Sequence, residues 1–208
     1  MRHFKLATTL TLLCCTLAFA TEYTWDGEGA GGKQWTNDLM WAGDAKPTMS
    51  ADNTLVFDGT SYIITTNTFP MHSDIGWIKI APTAAPFLFA RQSSSLGDRL
   101  DVFSGFEHNA ANVVSNLMAT DVWGDWMVNV SDPAGELHQV GVMLTEDNVA
   151  HAISKFGPGK YQLFGNNAGL TGTVTVADGT LVVRSVTSLG AAVSDVIVSN
   201  GATLDMYG

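Results

Sequence analysis

A short self-similarity near the C-terminus constrains this chain more than any other feature. Val174-Thr175-Val176, Gly179 and Leu181 recur as Val196-Ile197-Val198, Gly201 and Leu204, an offset of 22 residues. A looser copy, Val128-Asn129-Val130 followed by Gly135 and Leu137, lies 46 residues before the middle one, about two such periods. A unit this short cannot bury its apolar face alone, so repetition implies that each unit stacks on the next. Alternate residues of a strand point to one face, which sends each Val pair inward, while glycine permits the corner before the next strand. One period matches the length of one coil of a parallel β-helix, whose stacked valines and leucines make a continuous core.

The rest of the chain agrees with an all-β reading. Short alternating runs bounded by Gly, Asn, Asp or Ser begin at Leu55 and include Tyr62 to Thr65, Trp77 to Ile80, Phe87 to Phe89, Leu100 to Phe103, Trp126 to Val130, Val140 to Leu144 and Tyr161 to Phe164. One stretch, Glu107 to Met118, reads as a helical turn or two with Ala110, Val113, Val114 and Leu117 on one face, although Asn109, Asn112 and Asn116 argue equally for a loop. Asp178-Gly179 and Asn200-Gly201 fit two-residue hairpin turns, so an antiparallel β-sandwich is the alternative fold.

The chain of 208 residues carries 20 acidic against 10 basic residues, a formal charge of -10 that repels a phosphate backbone and excludes nucleic acid as a partner. Arg2 and Lys5 precede an uncharged run, Leu6 to Phe19, that closes on Leu17-Ala18-Phe19-Ala20. This pattern predicts a secretory signal cleaved after Ala20 and a secreted or cell-surface destination. Cys14 and Cys15 lie inside the run, so cleavage removes both thiols; a lipidated cysteine is disfavoured because Leu13 and Cys14, not small residues, precede them. No later stretch approaches the roughly 20 apolar residues that span a bilayer, so no membrane span is expected in the mature chain.

Between Lys155 and Leu181 the residues resemble the autotransporter-associated β-strand repeat of large secreted and surface proteins of bacteria. The matching positions are Lys155, Gly157, Gly159, Leu163, Gly165, Asn167, Gly172 or Gly169, Val176, Gly179 and Leu181, with Asn166 equally suited to the Asn position. Tyr161 stands where Leu or Val is usual, Leu170 where an aromatic is common, and Gly172 where two glycines are typical. The head of the mature chain is similar to the entry segment of such proteins, with Trp25-Asp26-Gly27, Trp35-Thr36, Trp41-Ala42-Gly43, Pro47, Asp52 and Val56-Phe57-Asp58-Gly59; Met40 replaces the Asn often found before the third Trp. The resemblance implies a right-handed parallel β-helix passenger, and it implies no catalysis. The expected organisation is a signal peptide over 1–20, an entry and cap segment over 21–60, irregular β coils over 61–148 and a repeat-bearing helix over 149–208. A translocator barrel of alternating membrane strands does not follow the last repeat strand, which predicts a truncated or divergent member, or one that docks onto another protein. End-to-end self-association is the expected behaviour of an uncapped coil.

No catalytic residue is assigned. His72, His108, His138 and His151 show no ligand spacing, and no zinc site or required metal or other cofactor is expected. Gly157-Pro158-Gly159 is read as a turn between coils, since no Lys-Ser or Lys-Thr follows, and no Gly-x-Ser-x-Gly elbow is present. Arg91, Asp98, Arg99 and Asp101 form the compact mixed-charge cluster that a polysaccharide-degrading β-helix would use; the plainer reading is a solvated loop with surface ion pairs. Trp25, Trp35, Trp41, Trp123 and Trp126 are the candidate ligand-binding residues for a glycan module, because sugars stack on open indole faces. Their plainer reading is a buried cap over the end of the helix. Surface glycans or another surface protein are the expected partners.

Overall fold

A computed structural model describes residues 20–29, 32–92, 99–167, 169–190 and 195–206. The proposed signal run with Cys14 and Cys15, and also Asp98, lies outside the described residues. The chain is nearly all β, a parallel β-solenoid of about six turns. Its strands are β1 (Glu22–Trp25), β2 (Ser50–Phe57), β3 (Ile64–Thr66), β4 (Ser73–Ile80), β5 (Leu88–Ala90), β6 (Leu100–His108), β7 (Val113–Asn116), β8 (Thr120–Val122), β9 (Trp126–Val130), β10 (Glu136–Gln139), β11 (Met143–Leu144), β12 (Ile153–Phe156), β13 (Lys160–Leu163), β14 (Val174–Val176), β15 (Thr180–Val183), β16 (Val196–Val198) and β17 (Thr203–Met206). One sheet runs β1-β2-β4-β6-β9-β12-β14-β16, and the facing sheet runs β3-β5-β7-β10-β13-β15-β17. Every strand ladder among the described residues is parallel, which sets aside the antiparallel sandwich.

The core forms because inward positions repeat from coil to coil. Val114, Leu137, Tyr161, Leu181 and Leu204 are successive ladder partners, so Tyr161 takes the place of an aliphatic residue inside one continuous column. In the other sheet Trp126, Ile153, Val174 and Val196 line up. The looser sequence copy is therefore out of register by two residues: Trp126, not Val128, stands beneath Val174. A shift of two keeps the inward face, which is why the copy remained visible in the sequence. Residues 61–148 contribute β3 to β11 to these same ladders, so the segment in which the repeat is least visible consists of coils of the one solenoid.

Two local expectations are corrected. Glu107 to Met118 is neither helix nor loop: it is the end of β6, a corner and β7, with Ala110 and Val114 inward and Val113 outward, a period of two on each side of the corner. The predicted strand from Val140 to Leu144 instead straddles the turn between β10 and β11.

The long strand β6 serves two ladders. Its second half pairs with β9, while Leu100 to Val102 pair with β8, which in turn pairs with β11. Gly105 (φ +148°) sits at the split, where a Cβ would overlap the Met127 carbonyl oxygen. Only glycine fits there. The split creates the short side ladder on which the ionised residues gather.

Candidate functional site

The side ladder stacks three aspartates. Asp74 of β4 is the register partner of Asp101 of β6, which is the partner of Asp121 of β8. Neighbouring strands lie about 4.8 Å apart, so three carboxylates at one ladder position repel one another unless something compensates. The Asp121 side chain is fully buried and that of Asp101 nearly so. Arg99 lies between them and solvent: its Nε is 2.8 Å from Asp121 Oδ2, and its Nη2 is 2.7 Å from Glu146 Oε1.

His72, in the turn before β4 and held at φ +62° in the left-handed region, completes the group. Its Nε2 lies 3.0 Å from Arg99 Nη2. A guanidinium only donates, so Nε2 accepts and the ring proton sits on Nδ1. That Nδ1–H donates to Asp101 Oδ1 at 3.1 Å and lies 3.7 Å from Asp121 Oδ2.

Charge and burial oppose each other here. Asp101, Asp121 and Glu146 gather around one guanidinium and one imidazole, with Asp74 beside Asp101 on the ladder. Burial pushes Asp121 up to about 6, with Glu146 and Asp101 adding to the rise and Arg99 opposing it. Asp101 is raised as well, chiefly by burial, against the hydrogen bond from His72. Asp121 Oδ1 is buried without a hydrogen-bond partner among the described residues. The arrangement is suited to holding a proton or a cation.

This geometry corrects the reading of Arg99 and Asp101 as part of a solvated loop, whereas Arg91 is exposed as that reading expects. Arg99 and Asp101 are buried because the chain enters β6 at this point, while Arg91 turns away and donates from Nε to the Leu117 carbonyl. Sequence reasoning missed His72, Asp121 and Glu146, which lie on other coils. The available signal was spacing: Asp74, Asp101 and Asp121 are 27 and 20 residues apart, about one coil each.

Four of the five candidate tryptophans are closed to a sugar. Trp25, Trp35, Trp41 and Trp126 are buried, so no indole face of these four is open for stacking. Trp25 meets Trp41 edge-on at 5.3 Å, Trp35 lies 5.1 Å from Phe57, and Phe57 lies 4.6 Å from Phe89. The Trp35 indole N–H donates to Thr65 Oγ1 and that of Trp41 to the Trp35 carbonyl at 2.8 Å. The first coils are thus filled by aromatic rings, and the glycan assignment of these four residues is withdrawn. Trp123, half-buried, stacks on Phe103 at 6.2 Å.

The remaining motif residues are structural. The Lys155 ammonium is buried and donates to the carbonyls of Phe156 (2.8 Å), Gly157 (2.7 Å) and Asp178 (3.2 Å), tying the Gly157-Pro158-Gly159 turn to the coil above. Asn167 is buried and Asn166 exposed, so of the two it is Asn167 that packs inside the coil. The other histidines act separately: His108 Nε2 donates to the Asn112 carbonyl at 2.8 Å, His138 meets Glu136 and His151 meets Asp147. No family model, curated protein or solved structure matches the chain.

Proposed function

We propose that the protein is a non-enzymatic, secreted or cell-surface β-solenoid segment that acts as a scaffold or adhesion passenger of the autotransporter-associated repeat type. The observation that carries this reading is the uninterrupted parallel stack: the inward columns Val114, Leu137, Tyr161, Leu181, Leu204 and Trp126, Ile153, Val174, Val196 make one continuous core, the architecture of a repeat module that presents an extended surface. The Lys155 and Asn167 turns and the uncharged N-terminal run agree with an exported passenger. Another surface protein, a surface glycan or a further copy is the expected partner.

Fractionation of cells that make the chain, with a glycan-array screen on the purified protein, tests this. Recovery outside the cell or on its surface is expected, and retention in the cytoplasm overturns the exported-scaffold reading. The enzymatic alternative, cleavage of an acidic polysaccharide, draws on the Arg99 cluster, where buried carboxylates of raised pKa adjoin a guanidinium. An Arg99→Ala variant that leaves degradation and binding of a polysaccharide panel unchanged removes that alternative.

A further inference from the structure

We infer that His72, Asp101 and Asp121 form a binding site for a divalent transition ion of the zinc class, with Glu146 and Arg99 orienting the ligands. The three side chains come from the turn before β4, from β6 and from β8, and one donor atom of each lies within 4.8 Å of the others. His72 Nδ1 is 3.1 Å from Asp101 Oδ1 and 3.7 Å from Asp121 Oδ2. These separations bracket the roughly 3.3 Å edge of a tetrahedron with arms of about 2.0 Å, the zinc geometry for nitrogen and carboxylate donors. The group is more than a set of acids at a surface. The Asp121 side chain has no solvent contact, and although Arg99 Nε lies 2.8 Å from Oδ2, neither Oδ1 nor Oδ2 has a hydrogen-bond partner among the described residues. A ladder that places three aspartates in register around a single guanidinium leaves negative charge uncompensated, and a dication supplies the balance.

The donor set selects the ion. One imidazole nitrogen with two carboxylates suits zinc better than calcium, which takes six or more oxygens. On binding, the neutral His72 ring changes tautomer: Nδ1 gives its proton to solvent and Nε2 takes one from solvent, with no net proton released. Glu146 Oε2, 3.8 Å away, lies just beyond hydrogen-bond distance and closes by about 1 Å to accept from it, giving the carboxylate–imidazole–metal arrangement that fixes ring orientation. Arg99 then keeps its contacts to Asp121 and Glu146 and releases the imidazole.

The test is calorimetric titration of Zn2+ into purified protein freed of metal with EDTA, with thermal unfolding on the same samples. One ion per chain and a raised Tm are expected. His72→Gln and Asp101→Asn should each weaken binding at least about tenfold, while His138→Gln, on β10 of the facing sheet, should not. Absence of saturable binding overturns the proposal, as does binding that survives both variants or Ca2+ binding that His72→Gln leaves unchanged. If either variant fails to fold, Co2+ in the unaltered protein decides: intense four-coordinate visible absorption supports the site, and only weak six-coordinate bands refute it.

Discussion

Replacing Asn167 by alanine should destabilise the solenoid by about 2–5 kcal/mol, far more than a polar-to-alanine change at a surface turn. The Asn167 side chain bridges coils: Oδ1 accepts from the Met143 backbone N–H at 2.8 Å, and Nδ2 donates to the Ser188 carbonyl at 2.7 Å. Met143 belongs to the coil before and Ser188 to the coil after, so one amide joins three consecutive coils. Truncation leaves a buried N–H and a buried C=O unpaired, each costing about 1–3 kcal/mol. Asn167→Asp separates the two bonds. A carboxylate still accepts from Met143 but cannot donate to Ser188, so this variant should be unstable at neutral pH and should recover in acid, where a protonated carboxyl can donate again. Urea unfolding followed by circular dichroism gives the loss, and hydrogen exchange at Met143 shows whether it is local to the coil. The exposed neighbour is the control: Asn166→Ala should cost under about 1 kcal/mol. A loss below about 1 kcal/mol for Asn167→Ala, or equal losses for the two variants, would refute the argument.

Other consequences are equally direct. Burial pushes Lys155 down to about 8 against the pull of Asp178. The unfolded chain therefore binds more protons than the folded one between about pH 8 and 10.5, so Lys155 makes stability rise with pH in that window, by at most about 3 kcal/mol. Denaturation across this range should show a flatter slope for Lys155→Met than for the unaltered protein, and parallel slopes would count against a buried ammonium. Tryptophan emission should be blue-shifted and poorly quenched by acrylamide, with no change on adding sugars, and Trp25→Ala should cost about 3–5 kcal/mol in urea unfolding. Arg99→Ala, measured in EDTA, should lose about 3–5 kcal/mol because Asp121 is left buried and unpaired; adding Asp121→Asn should recover part of it, and additive losses would show that the pair is not coupled.

What the sequence revealed, and what it hid, both follow from the geometry of a coil. The stretch from Lys155 to Leu204 was legible because its coils are short and close to equal in length: Tyr161, Leu181 and Leu204 recur at 20 and 23 residues, and the inward column repeats as nearly the same letters. Earlier coils obscure this. Trp126 and Ile153 occupy one column 27 residues apart and share no letter with the valines that follow, since any residue of suitable volume fills an inward position. A repeat search keyed on identity therefore fades where packing still holds.

The ion cluster escaped for a related reason. Metal and catalytic motifs are sought as short spacings along one helix or loop, whereas a parallel solenoid brings together residues one coil apart, here over 20 to 27 positions. Arg99 and Asp101, close in sequence, were noticed and misjudged as a solvated loop; Asp74 and Asp121, their partners across the ladder, were invisible to a linear scan. The sequence of a solenoid is better read down its columns. Reading Asp74, Asp101 and Asp121 as one column predicts mutual repulsion, repulsion calls for a counter-charge, and Arg99 alone is too small a one for the carboxylates gathered around it. That deficit in positive charge is a property of the fold as much as of the residues, because the in-register parallel ladder sets the spacing at which the three carboxylates must coexist.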